Sequence, residues 1–295
     1  MDQLEMIQYT DPMCIWCYAM EPAVRKLQVV LGKQLQYRNV CGLLVSDVRQ
    51  VIGDDAYSDL RFEQLKMQMK DHFLEAARCS GVPVDPSWLA DATKEDVTSL
   101  PMTLAFEAVK LQDPERADEF LWQCRANSHA RKTIMSRREN LLKLAEQYAS
   151  DKEKLLEDLK NGTAEQALAA DLQLCREKGI RSFPAMELVW KGRQMLIPGY
   201  RSYDELKAII ADFTNHQLQF EKVDFSLADV LHFIHRYKTV TSADLRLLYN
   251  LGDEQLQNLI HQLVESGFVI REDAAEGCFL HERKSGSCEI GSCSF

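Results

Sequence analysis

Cys14-Ile15-Trp16-Cys17 stands where an alternating run gives way to a helical period, and that placement narrows the fold more than any other feature of the chain. Leu4 to Thr10 alternates well enough for a strand. Asp11-Pro12 stops it, because proline lacks an N–H and turns its predecessor away from helical geometry. Met20, Val24, Leu27 and Val30-Leu31 then recur at helical spacing. The cysteine pair therefore falls at a strand-to-helix junction. There the unpaired backbone N–H groups and the positive end of the helix dipole stabilise a thiolate on Cys14. Cys17, one turn on, shares its helix face and is placed to attack a mixed disulfide formed at Cys14. The competing reading of Cys-x-x-Cys is a zinc half-site, which needs two further ligands, and none is close in sequence.

The rest of the chain sorts around this junction. Leu35–Cys41 reads as a second strand, so residues 1–60 give strand, helix, strand. Residues 61–175 turn helical: Phe62, Leu65, Met69, Phe73 and Ala76 keep a period near 3.6, and further helices are expected over Glu115–Asn127, Arg137–Tyr148 and Ala164–Lys178. Strands return over 176–214, with Ala185–Trp190 and Gln194–Ile197 joined by a turn at Lys191-Gly192. Ser202-x-x-Glu205 opens a helix from Tyr203 to Phe213. A linker at 215–223 leads to residues 222–282, where helices Leu227–Tyr237, Ser242–Tyr249 and Asp253–Ser266 precede a small hairpin, the order of a winged helix. Residues 283–295 form a Gly/Ser-rich, cysteine-bearing tail expected to be flexible.

With these segments in place the chain resembles the DsbA family of thioredoxin-fold proteins, of the FrnE-like cytoplasmic type. The resemblance lies in Asp11-Pro12-Met13-Cys14-Ile15-Trp16-Cys17-Tyr18, Gly179-Ile180-Arg181-Ser182-Phe183-Pro184 and Gly199-Tyr200-Arg201-Ser202-Tyr203, and covers roughly residues 4–214. The C-terminal extension is similar to the Spx-adaptor branch of the same superfamily, whose members present a transcription regulator to a protease. The resemblance implies an α/β thioredoxin fold with a large helical insertion and a small winged-helix-like domain. It implies Cys14 as the exposed attacking thiolate, Cys17 as the resolving thiol and Pro184 as a cis-proline facing them. Phe183 and Pro184 would orient an extended substrate strand, with Trp16 as a further substrate-facing side chain.

Two departures from the family pattern matter. Phe183 stands where many members carry Val or Thr, and Ile15-Trp16 places no imidazolium between the cysteines. A moderately lowered Cys14 pKa and an intermediate potential are expected. The presence of Cys17 counts against the glutathione-using isomerase branch, which lacks the second cysteine. Asp11 reads as a cap for the helix or as a proton-transfer partner of the pair.

Nine cysteines are generous, but no secretory signal is visible and the count is odd, so a structural disulfide framework is not expected and the chain reads as cytoplasmic. Cys41, Cys79, Cys124 and Cys175 lie in apolar patterns and read as buried small hydrophobes. Cys288 and Cys293 form a candidate auxiliary redox pair; the alternatives are a zinc site with Cys278 and His281, or two unconnected thiols. Met67 and Met69 read as core packing or as the lining of a substrate groove. A formal charge of −10 and a candidate recognition helix, Asp253–Gln262, without Lys or Arg argue against nucleic acid, and no apolar run approaches the roughly 20 residues of a membrane span. Expected partners are protein or small-molecule disulfides and thiols, with a protein partner for the C-terminal domain. No cofactor and no metal are called for. Dithiol–disulfide exchange is the first functional reading, and an adaptor that holds a regulator for proteolysis, with a redox-sensing pair, is the alternative.

Overall fold

The computed structural model describes residues 3–283 of the chain. Strand β1 (Leu4–Thr10) runs into helix α1 (Ile15–Leu31) and strand β2 (Leu35–Cys41). Seven helices follow: α2 (Arg49–Ile52), α3 (Ser58–Ser80), α4 (Leu100–Lys110), α5 (Pro114–His129), α6 (Arg138–Tyr148), α7 (Lys152–Asp158) and α8 (Thr163–Glu177). Strands β3 (Ala185–Trp190) and β4 (Arg193–Pro198) and helix α9 (Tyr203–Phe213) return the chain to the sheet.

The sheet order is β2-β1-β3-β4. β1 and β2 are parallel from Leu4↔Leu35 to Thr10↔Cys41, while β3 is antiparallel to both β1 and β4. Side-chain alternation divides β1 between two cores, since neighbours on a strand face opposite ways. Leu4 and Met6 pack with Met20, Val24 and Leu27 of α1 and Leu206 and Ile210 of α9. Ile7 and Tyr9 pack with Val40, Ala185 and Cys175 of α8. Gln8 and Thr10, in register with Leu4 and Met6, continue the α1 side toward the cysteine pair. Lys191 (φ 49°) and Gly192 (φ 76°) both lie in the left-handed region, the geometry that a two-residue hairpin turn needs.

The helical segment has its own core of Phe106, Phe120, Leu121, Leu141 and Leu155. Its helices are started by sequence-encoded caps: Asp113 accepts from the N–H of Glu115 and Arg116 at 3.1 and 3.2 Å, with Pro114 opening the first turn of α5. The helical run begins at α2, somewhat before the expected boundary at residue 61.

The stretch after α9 is tied down, with the N–H of Glu221 donating to Val30 O at 2.8 Å and Leu218 buried. Beyond it come α10 (Leu227–Tyr237), β5 (Thr239–Thr241), α11 (Ser242–Tyr249), α12 (Asp253–Glu265), β6 (Val269–Ala274) and β7 (Gly277–Glu282). β5, a three-residue strand with no sequence signature of its own, adds to the hairpin and gives the sheet order β5-β7-β6. This C-terminal unit packs against the first through Arg25 of α1. Its guanidinium lies 4.4 Å from the Trp122 ring and 4.5 Å from the Tyr237 ring, and pairs with Asp244 at 3.1 Å. Among the described residues no helix is long and apolar enough to cross a membrane.

Candidate active site

The end of β1 builds the site. Pro12 and Met13 turn the chain, and α1 begins at Ile15 with Cys14 itself as the N-cap residue, its backbone extended (φ −74°, ψ 108°). The Cys14 Sγ accepts the N–H of Cys17 at 3.2 Å, so the first sulfur takes up one of the helix's unpaired donors. Asp11 does not cap α1. Its Oδ1 accepts from Met13 N and its Oδ2 from Leu44 N, both at 2.7 Å, which binds the cysteine loop to the segment after β2. Burial pushes the Asp11 carboxyl up, against the pull of these hydrogen bonds.

Across the sheet, Tyr9 is in register with Ala185, which places Pro184 on the next rung, opposite Thr10. The Phe183–Pro184 peptide bond is cis, and Pro184 O accepts from Gly199 N at 2.8 Å. Pro184 is buried and Phe183 half-buried. The Phe183 ring lies against Gly42, where a Cβ would come within 1.9 Å of Cζ, so only glycine leaves room for the ring. Trp16 is half-buried rather than fully presented. Its ring lies 5.4 Å from that of Tyr200, which follows the β4 turn. Leu44, Val51, Tyr57, Leu60 and Met67 are exposed on the loop after β2 and on α2–α3, while Met69 is packed.

Both thiols are free, and both are buried: Cys14 is 3% exposed and Cys17 is fully covered. The expectation of an exposed Cys14 is therefore corrected, because the whole strand-to-helix loop is buried, with Asp11, Met13 and Ile15 all at 5% exposure or less. Burial and the charge of its neighbour Cys17 hold the Cys14 thiol well above its usual value. Cys17 moves the other way. Burial alone would raise it, but the Cys14 hydrogen bond, the Arg125 charge, the Thr10 hydroxyl and an Asp11 backbone hydrogen bond together bring it below the usual thiol range. The pair thus holds one anion readily and resists a second.

Arg125 was missed by sequence reasoning. It sits in the middle of α5, fully buried, donating through Nη1 to Glu21 and through Nη2 to the Thr10 hydroxyl. Its position in a helix period reads as ordinary surface. The available signal was compositional, since Cys124 and Ala126 flank it in a helix buried on almost every side.

The remaining cysteines divide. Cys41, Cys124 and Cys175 are buried as expected, whereas Cys79 is exposed near the C-terminal end of α3, where the helix face turns to solvent. Cys278 lies in the apolar core of the C-terminal unit. His281, three residues on along β7, is on the opposite face, hydrogen-bonded to Thr239 Oγ1 and Glu272. The two cannot bind one zinc ion in this strand. Cys288 and Cys293 lie outside the described residues. Among the described residues no group of three or more His, Cys, Asp or Glu is arranged to hold a metal.

A family model described as thioredoxin matches residues 7–208. The chain belongs to the thioredoxin family. Within it, the chain is similar to the ClpXP adapter protein SpxH of Bacillus subtilis (strain 168), at 23% identity over 293 residues, 98% of this chain and 93% of that one. The ClpXP adapter protein SpxH of Halalkalibacterium halodurans is 24% identical over 270 residues, 88% of this chain and 83% of its own. Among solved thioredoxin-fold structures, a putative protein disulfide isomerase from Nitrosomonas europaea superposes with a TM-score of 0.57 at 18% identity, covering 73% of this chain and 100% of its own. The cytosolic disulfide reductase DsbM from Pseudomonas aeruginosa gives 0.55 at 20%, covering 71% and 98%.

Proposed function

We propose that this chain is a cytoplasmic dithiol–disulfide oxidoreductase of DsbA type, FrnE-like in its helical insertion, with Cys14 and Cys17 as its redox pair. The observation that carries this reading is the Cys14 Sγ held by the Cys17 N–H, at the end of the loop that leaves β1 where Thr10 faces the cis Phe183–Pro184 peptide. In the exchange, Cys14 passes its proton to the Cys17 sulfur as it attacks a substrate disulfide, forming a mixed disulfide and releasing one substrate thiolate. Cys17 then attacks Cys14 Sγ, and the second substrate sulfur leaves. The substrate takes up two electrons and two protons as the pair becomes a disulfide. Because both sulfurs are covered, a substrate strand must displace neighbouring side chains to reach Cys14. The free backbone beside Pro184 and the exposed apolar side chains of α2 and α3 suit an extended, apolar protein segment.

A second reading is favoured by one specific observation. The match to the ClpXP adapter proteins extends over 98% of the chain and so takes in α10 to β7, which the matched disulfide reductase structures leave largely uncovered. On this reading residues 222–282 form a winged-helix-like domain that holds a protein partner, a regulator destined for proteolysis, and the cysteine pair senses redox state. The lack of Lys and Arg in α12 supports a protein partner over DNA.

A Cys17→Ser chain produced in cells separates the two. Exchange predicts covalent adducts with several proteins, all lost when Cys14 is also replaced. A single partner retained non-covalently when both cysteines are serine would overturn exchange in favour of the adaptor.

A further inference from the structure

A cavity of about 610 Å³ lies behind the cysteine helix, walled by α1, by β2, by the first turns of α5 and by the end of α10. That volume is typical of a small-molecule site, and neither the exchange nor the adaptor reading makes use of it. On the β2 side acceptors gather. Asn39 donates to Asp118 Oδ1 at 2.8 Å, and Glu115, one turn earlier on α5, lines the same wall. On the α10 side donors gather. Arg25 bonds only through Nη1, to Thr239 O at 3.3 Å and Asp244 at 3.1 Å, which leaves its Nε and Nη2 hydrogens uncommitted. The Tyr237 hydroxyl donates to Gln28 Oε1 at 2.9 Å, which turns the Gln28 amide N–H groups to other partners. Arg236 lines the cavity and is exposed. Trp122 is 3% exposed, and its indole N–H is bonded to no group among the described residues.

The two sides do not neutralise each other. Among the described residues no ion pair joins Glu115, Asp118 or Glu119 to Arg25, Arg116 or Arg236. Other charges of the walls are already engaged: Glu21 with Arg125, Arg25 with Asp244, and Asp113 as the cap of α5. Glu119 faces the donors, under the influence of Arg25, Lys238 and Arg116. Asp118 feels Glu21 as well as Arg125 and Lys110, and burial holds its carboxyl up at about 6. The cavity is therefore bipolar. A metal ion finds no ligand set in it, since among the described residues no three His, Cys, Asp or Glu are arranged to hold one. A simple anion would meet Asp118, and an apolar ligand would strip water from charged walls. An organic molecule carrying both an ammonium and a carboxylate satisfies the two sides together.

We propose that this cavity binds a small zwitterion of the amino-acid or short-peptide class. Its ammonium lies at Asp118 and Glu115. Its carboxylate lies at Arg236, with the uncommitted N–H groups of Arg25 and Trp122. The site stands apart from Cys14 and Cys17 and holds whether the chain exchanges disulfides or acts as an adaptor.

Titration calorimetry on the full chain tests it, with trialanine as the probe. Trialanine should bind saturably, one per chain. N-acetyl-trialanine lacks the ammonium and trialanine amide lacks the carboxylate, and each should bind about tenfold more weakly. Asp118→Asn should weaken trialanine about tenfold and leave N-acetyl-trialanine unchanged. Arg236→Gln, at an exposed position, should weaken trialanine about threefold and leave trialanine amide unchanged. The chain with both Cys14→Ser and Cys17→Ser should bind trialanine as the parent does. No saturable heat with trialanine would overturn the proposal, as would blocked peptides that bind as well as the free one. Equal losses for free and blocked peptides in Asp118→Asn, the mark of a merely structural effect, would overturn the placement of the ammonium. Loss of binding in the double-serine chain would move the peptide to the redox site and overturn the cavity.

Discussion

At Gly42 the site depends on the absence of a side chain. The Phe183 ring occupies the volume that a Cβ would take, so a side chain at position 42 forces the ring to move. Gly42→Ala should therefore cost about 1–3 kcal/mol, as overpacking does, and Gly42→Ala with Phe183→Ala should recover part of it. Urea unfolding of the two variants against Phe183→Ala reads the coupling directly. Glu107 in α4 makes a different residue-level prediction. Burial raises its pKa to about 7, against the pull of Lys110 at 2.9 Å, while Asp171 adds to the rise. A carboxyl whose folded pKa lies above its unfolded value, 4.5, binds its proton more tightly when folded. Its contribution is therefore fully present below pH 4.5 and is lost as pH rises through about 7. Melting temperature should fall over that window in the parent chain. Glu107→Gln should flatten the fall, gaining up to about 3 kcal/mol at pH 8 relative to the parent. An unchanged slope would show that Glu107 ionises freely in the fold.

At the scale of elements, the parts legible in the sequence were those with a local code. β1 and β2 were readable from alternation, and α9, α10 and α11 from their Ser or Thr caps, each with an acidic residue at the third helical position. The short elements were not readable. α2, α7 and β5 are too brief to show a period, and β5 exists because β7 offers it an edge. The site followed the same division. Cys14, Cys17 and Pro184 carry local motifs, whereas Arg125 is assigned its place by the packing of α5 against α1, which no local pattern reports. The Cys14 burial was illegible for a related reason, since it comes from a loop held shut by Asp11 and Leu44 across thirty-three positions of sequence. The contact between α1 and the C-terminal unit gives an element-level prediction. Arg25→Met leaves Asp244 buried without its cation and should cost about 3–5 kcal/mol. Limited proteolysis should then cut the chain sooner between α9 and α10. Cleavage at the parental rate would show that the unit is held by other contacts.

For the whole molecule, the C-terminal unit is part of the same packed body as the redox site. Ala243, Ala274 and Phe279 share a core with Ile15, Tyr18 and Trp122, and Arg131 stacks 3.9 Å over the Phe279 ring while bonding Glu272. The residues beside the cysteine pair and the C-terminal unit therefore share one packed core. Exchange and adaptor readings diverge in what the cysteine pair does, but both begin from one claim, that the pair is a working redox couple. The most direct test equilibrates the described cysteines in glutathione buffers of graded potential and counts Cys14–Cys17 disulfide by mass spectrometry after alkylation. The account predicts a reversible two-electron transition, a tenfold change in the oxidised-to-reduced ratio for each ~30 mV, abolished by replacing either cysteine. A pair that stays as two thiols across the whole range, or that oxidises only through other cysteines, would contradict it.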